Sequence, residues 1–123
     1  MKQIIPNYMA VDDLVSLFAQ IVSAQDVALL EGGHSKFNRL FDRMMDVANE
    51  LKSRDGDQRT ALLRLFSHPN MQVRLQAAKL TLAVAPVEAR AQLQAIADSK
   101  WFPQAGDAGM SLWNLERGVF KPK

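Results

Sequence analysis

The sequence predicts an all-α fold of about six helices, and three observations carry that prediction. No stretch alternates apolar and polar residues in a run rich in Val, Ile, Thr and aromatics, and Asp55-Gly56 lies between helically spaced flanks rather than between two strands. Apolar residues recur instead at three- and four-residue steps along most of the chain. Glycine, proline and short polar clusters interrupt them at intervals suited to short interhelical turns. The 123 residues are expected to form a single helical domain, 1–123, with one self-sufficient core.

The first helix is expected to begin near Val11, with Asp12 and Asp13 set against the positive end of its dipole. Leu14, Phe18, Ile21, Val22, Ala28 and Leu29 form its apolar stripe, and Gly32-Gly33 ends it. Ser35 is the expected N-cap of a second helix with Phe37, Leu40, Phe41, Met44, Ala48 and Leu51 inward. A loop over Ser53 to Thr60 supplies Asp57 as cap for a third helix carrying Leu62, Leu63, Leu65 and Phe66. His68-Pro69 stops that helix, because the residue before proline avoids helical torsions, and Asn70 caps the next.

The fourth helix, Met71 to Ala85, is apolar around most of its circumference and is therefore expected at the centre of the domain. Pro86 opens the fifth helix, where Glu88 is well placed and Leu93, Ile96 and Ala97 face inward. A last helix carries Ala108, Leu112, Trp113 and Leu115 and is closed by Gly118.

A shift of 31 residues takes Leu62 to Leu93, Leu65 to Ile96, Ala77 to Ala108, Ala78 to Gly109 and Leu82 to Trp113. Large residues fall on a first helix and small ones on a second, as close packing of helix pairs requires. The stretch His68 to Ala97 resembles a HEAT-type repeat, whose second helix opens with Val-Arg followed by paired alanines; Val73-Arg74 and Ala77-Ala78 stand at those positions. A wider similarity runs through Asn38 to Arg43, Thr81 to Arg90 and Gln104 to Gly118. It is to a family of small bacterial proteins known only as a domain of unknown function with a HEAT-like fold. The resemblance implies a short right-handed α-α superhelix of the armadillo type and brings no catalytic residues. Two positions depart from the repeat pattern: His68 replaces the usual aspartate, and Ala105 stands where a second arginine would pair with it.

Composition narrows the function classes. The chain has no cysteine, which removes disulfides, thiolate metal sites and cysteine nucleophiles. Hydrophobic residues make up 48% and charged residues 23%, as in soluble globular proteins. Lys2 precedes some apolar residues, but Pro6, Asn7, Asp12 and Asp13 interrupt a signal-peptide core, and no run of about 18 uninterrupted apolar residues spans a membrane. A soluble cytoplasmic protein with no membrane partner is the expectation.

No catalytic or metal constellation is legible. His34 and His68 lie at helical spacing from no second ligand in a metal motif, and each is read as a loop or cap residue. Glu31 to Lys36 lacks P-loop spacing and is read as a helix break. The expectation is therefore a non-enzymatic protein-protein interaction module without cofactor.

Two candidate surfaces for an unidentified protein partner follow: the charged face Arg39, Asp42, Arg43 and Asp46, and the aromatic pair Trp101 and Phe102. The alternative is nucleic-acid binding through Arg54, Arg59, Arg64, Arg74 and Lys79, against which stands a formal net charge of only +2. Structural roles are assigned to Arg74 as an inter-helix tie to a carboxylate (Asp98 or Asp107) or to helix-end carbonyls, to Ala77 and Ala78 as close-packing residues, and to Trp113 as a plug at the end of the core. A short stack exposes two end surfaces, so homodimerisation stays open.

Overall fold

The computed structural model describes residues 5–123; Lys2, which enters the N-terminal reading, lies outside the described residues. Among the described residues the fold is all-helical: α1 (Val11–Glu31), α2 (His34–Ser53), a 3₁₀ segment (Gln58–Ser67), α3 (Met71–Leu80), α4 (Pro86–Asp98) and α5 (Gln104–Glu116). The chain divides into two compact units, Met1–Ala61 and Leu62–Lys123.

In the first unit α1 packs against α2. Asp12 and Asp13 occupy the first turn of α1, as the dipole favours. Its end is a Schellman motif: Gly32 takes a left-handed φ of 73°, Gly32 N–H donates to the Leu29 carbonyl and Gly33 N–H to the Ala28 carbonyl. Leu14, Phe18, Ile21, Val22 and Ala28 are buried as expected, whereas Leu29 is exposed because it lies one step off that stripe. By length and composition α1 could cross a bilayer. Its buried Leu14, Phe18 and Val22 are equally what the core helix of a packed hairpin requires.

The second helix starts one residue before the expected Ser35 cap. Gly33 is the N-cap, and it offers no side chain to the first turn. Leu40, Met44, Val47, Ala48 and Leu51 form the buried stripe, while Phe41 is exposed and stacks on Phe37 with ring centroids 6.4 Å apart. Buried Gln25 donates from Nε2 to the Met44 sulfur across the hairpin at 3.4 Å.

After Asp57 the chain enters a 3₁₀ run rather than the expected α-helix. Asp57 does cap it: its Oδ1 accepts from the Arg59 N–H at 3.3 Å, and its carboxylate also receives the Arg59 guanidinium. Asp57 itself sits at φ 51°, a left-handed conformation that aspartate tolerates better than most residues.

In the second unit α3, α4 and α5 pack on one another. Asn70 caps α3 as expected, its Oδ1 accepting from the amides of Gln72 and Val73 at 2.9 and 3.2 Å. The helix stops at Leu80, short of the expected Ala85. Thr81 is its C-cap: buried, its hydroxyl turns back to the Ala77 and Ala78 carbonyls at 2.8 and 3.2 Å. The chain then turns, which exposes Ala83, and Pro86 opens α4 at its first position.

The core of this unit gathers Leu75, Ala78, Leu82, Ala89, Leu93, Ile96 and Ala108, with Phe66, Met71, Leu112 and Leu115 at its margin. A buried amide pair, Gln104 Nε2 donating to Gln72 Oε1 at 3.0 Å, ties α5 to α3. Arg74 reaches back to the turn that precedes its own helix. Its Nε donates to the His68 carbonyl, and Asp98 and Asp107 are engaged elsewhere, by Gln94 and Lys79.

Candidate interaction surface

The connection from α4 to α5 is built by local hydrogen bonds that leave its aromatics outside. Ser99 Oγ donates to the Ile96 carbonyl at 2.6 Å and accepts from the Trp101 N–H at 3.1 Å, while Lys100 takes a φ of 60°. The Phe102–Pro103 peptide is cis, and the Trp101 carbonyl receives the Ala105 N–H at 2.8 Å. Trp101 and Phe102 are 63% and 69% exposed, so the sequence-predicted pair lies on the surface. The Phe102 ring lies over Gly106, where a Cβ would stand 3.7 Å from ring Cδ1.

Gly106, Met110, Trp113 and Arg117 follow one another at helical spacing of four, three and four residues, and therefore share the outer face of α5. Met110 is 52% exposed and Trp113 51%. Trp113 is thus half exposed rather than the core plug expected of the last helix in a short stack. Ala108 is buried, with Leu112 and Leu115 packed at the core margin, and a residue one step past Leu112 is turned about 100° away from them. The Arg117 guanidinium covers the indole, its Cζ 4.6 Å from the ring centroid.

The neighbouring face of α5 is polar and concave. Asp107 Oδ1 pairs with Lys79 Nζ at 3.1 Å and accepts from Ser111 Oγ at 3.2 Å. A groove of about 250 Å³ is lined by Lys79, Leu82, Ser111, Asn114 and Phe120. Phe120 reaches it because α5 also ends in a Schellman motif, with Gly118 at φ 71° and Val119 N–H donating to the Asn114 carbonyl at 3.0 Å. Met110, Arg117 and Phe120 escaped sequence reasoning, although the spacing from Gly106 to Arg117 carried the signal for the first two.

The other predicted positions fall elsewhere. Arg39, Asp42, Arg43 and Asp46 run along one side of α2 in the first unit, Arg39 and Asp42 exposed and the other two half-buried. Alternating signs at these steps describe a solvated helix face as well as they describe a docking face. Ala77 and Ala78 are fully buried in α3.

Of the five cations proposed for nucleic acid, Arg54 pairs with Glu50 at 2.6 Å, Arg59 with Asp57 at 2.6 Å and Lys79 with Asp107, and Arg74 is held by a backbone carbonyl. Arg64 has an interaction of its own. Charges already met by carboxylates add little to a phosphate-binding field. His68 acts in the cap, its Nδ1 accepting from the Asn70 N–H at 3.0 Å. Among the described residues no three of His, Cys, Asp and Glu are grouped to hold a metal ion. The Asp57 carboxyl is held below its ordinary range, chiefly by the Arg59 side-chain hydrogen bond.

The crystal structure of the protein RPA1889 from Rhodopseudomonas palustris CGA009 superposes with a TM-score of 0.95 at 65% identity, over 98% of this chain and 100% of that one. No curated protein matches the sequence. Residues 12–116 match the model of a domain of unknown function, DUF2019. The chain belongs to the DUF2019 family, and a bacterial protein of closely similar sequence shares its fold.

Proposed function

We propose that the chain is a non-enzymatic protein-interaction module of the bacterial cytoplasm, built as a short right-handed HEAT-like stack. The exposed apolar stripe over Phe102, Met110 and Trp113 carries this reading. Aromatic side chains left on a rigid helix face are the usual anchors of protein interfaces, and contiguous apolar surface on a soluble domain is most economically explained by a partner that covers it. The repeat supports the HEAT-like part. Leu62 and Leu93, Leu65 and Ile96, and Ala77 and Ala108 are buried pairwise at the 31-residue shift; buried Ala78 matches a half-buried Gly109, and buried Leu82 with exposed Trp113 breaks the pattern. The cysteine-free composition supports the compartment.

The test is affinity capture of the tagged protein from its native lysate, with and without nuclease, run beside a Phe102→Ala, Trp113→Ala double variant and an Arg39→Glu, Arg43→Glu variant. The expected result is a stoichiometric protein that survives nuclease and is lost with the aromatic variant. Retention by that variant with loss in the α2 variant would move the site to the first unit. Loss of every partner after nuclease would overturn the reading in favour of nucleic acid.

A further inference from the structure

The stripe also indicates the chemistry of its partner. The second unit, Leu62–Lys123, carries eight basic and four acidic side chains, an excess the first unit does not share. Around the stripe the imbalance persists: Lys100 adjoins Trp101, Arg117 lies on Trp113, and Lys121 follows Phe120, while Asp107 is committed to Lys79 and leaves Asp98 and Glu116 as the opposing charges. Among the described residues the Arg117 guanidinium makes no hydrogen bond or ion pair, and it lies over the Trp113 indole.

A guanidinium held over an indole gives up part of its rotamer freedom, and its N–H donors remain available to a ligand. Their fork matches a carboxylate bidentately. Asn114, one turn before Arg117, lines the groove between Leu82 and Phe120, whose 250 Å³ would accept one aliphatic or aromatic side chain.

We propose that this face binds an acidic peptide segment, one carboxylate on Arg117 and a neighbouring apolar side chain in the Leu82–Phe120 groove. The proposal rests on the interaction-module reading and names the partner's chemistry. Single-stranded nucleic acid fits less well beside Arg117, because the Trp113 face nearest it is taken and does not offer itself to a stacking base. An anionic membrane would favour several adjacent cations, whereas those here are separated along the chain and accompanied by Glu116.

The experiment uses the full chain and a fluorescent helical peptide of alternating Glu and Leu turns, with the Gln-for-Glu peptide, a uridine oligonucleotide and phosphatidylglycerol vesicles as parallel probes. The Glu peptide should bind about tenfold or more tighter than the Gln peptide, and Arg117→Gln should abolish that preference. Arg117→Lys should restore only part of it, and Arg90→Gln, which removes an equal charge from α4, should leave it intact. Circular dichroism confirms that each variant is folded. Equal binding of the two peptides, lost with Trp113→Ala, overturns the acidic preference while leaving the interaction module standing. Tighter binding of the oligonucleotide or vesicles, an Arg117→Gln variant equal to wild type, or no binding of the Glu peptide at millimolar concentration overturns the proposal.

Discussion

Replacing Ala78 by Leu probes the close approach of three helices. Ala78 on α3 is 0% exposed and shares its cluster with Ala89 on α4 and Ala108 on α5, both equally buried. Alanine from all three helices at one place means that their backbones, rather than long side chains, set the spacing. Leucine adds three carbons. With room they would stabilise by roughly 0.8 kcal/mol each. Without room they force off-rotamer side chains and backbone shifts, at a cost of about 1–3 kcal/mol.

The second outcome is expected, since Leu75, Leu82, Leu93 and Ile96 already fill the surrounding volume. For a chain of this size, about 2 kcal/mol corresponds to a fall in Tm of roughly 8 °C. The assay is thermal and urea unfolding followed by circular dichroism, with Ala95→Leu on the exposed side of α4 as control, expected within about 0.5 kcal/mol of wild type. A raised Tm for Ala78→Leu would show slack among the helices, and an unchanged one would mean that Ala78 is not enclosed by them; either refutes the packing argument.

Two further outcomes are expected. Asn70→Ala removes the acceptor for the Gln72 and Val73 amides at the start of α3 and should cost about 1 kcal/mol in urea unfolding, with Asn70→Asp recovering most of it. Asp57 has a carboxyl held below its ordinary value of 3.8 by Arg59, so its ionised form contributes stability above that value and loses it as pH falls through the lower folded value. The stability difference between wild type and Asp57→Asn should therefore be constant from neutral pH to about 5 and shrink in more acidic solution; a difference that grows on acidification would reverse the sign of the Asp57–Arg59 coupling.

The architecture was legible wherever a residue type has a single local use. Gly32, Gly118, Asn70 and Pro86 mark helix ends because left-handed torsion, an amide-accepting side chain and a missing N–H suit few other places. Errors came where one residue has two uses. Ser35 looks like a cap, but Gly33 already occupies that role, and the apolar run from Val73 to Val84 hides the stop at Thr81, whose hydroxyl bonds back to the Ala77 carbonyl. The 3₁₀ form of Gln58–Ser67 was hidden for a related reason: spacings of three satisfy both helix types. The site was half legible. Trp101 and Phe102 are legible as aromatics beside a loop, whereas Trp113 reads equally as an interface anchor or as the lid that the last helix of a short stack needs, and only the face it shares with Met110 rather than Ala108 decides between them.

That face assignment also separates folding from function in α5. Its inner side is served by Ala105, Ala108, Leu112 and Leu115. An outer side with no task beyond solvation would be mostly polar, as on α2, where Arg39, Asp42 and Asn49 meet water beside a single exposed Phe41, or on α4, where Glu88, Arg90 and Gln94 do beside a single exposed Val87. The outer side of α5 carries Met110 and Trp113 instead, with Phe102 laid over Gly106 at one end and Arg117 over the indole at the other. None of these residues is needed to close the core, and their apolar area remains in contact with water, where it stabilises nothing. Exposed aromatic and thioether area at helical spacing, continued by Phe102 and bordered by the Arg117 guanidinium, is the physical ground for proposing recognition there rather than on the balanced charges of α2.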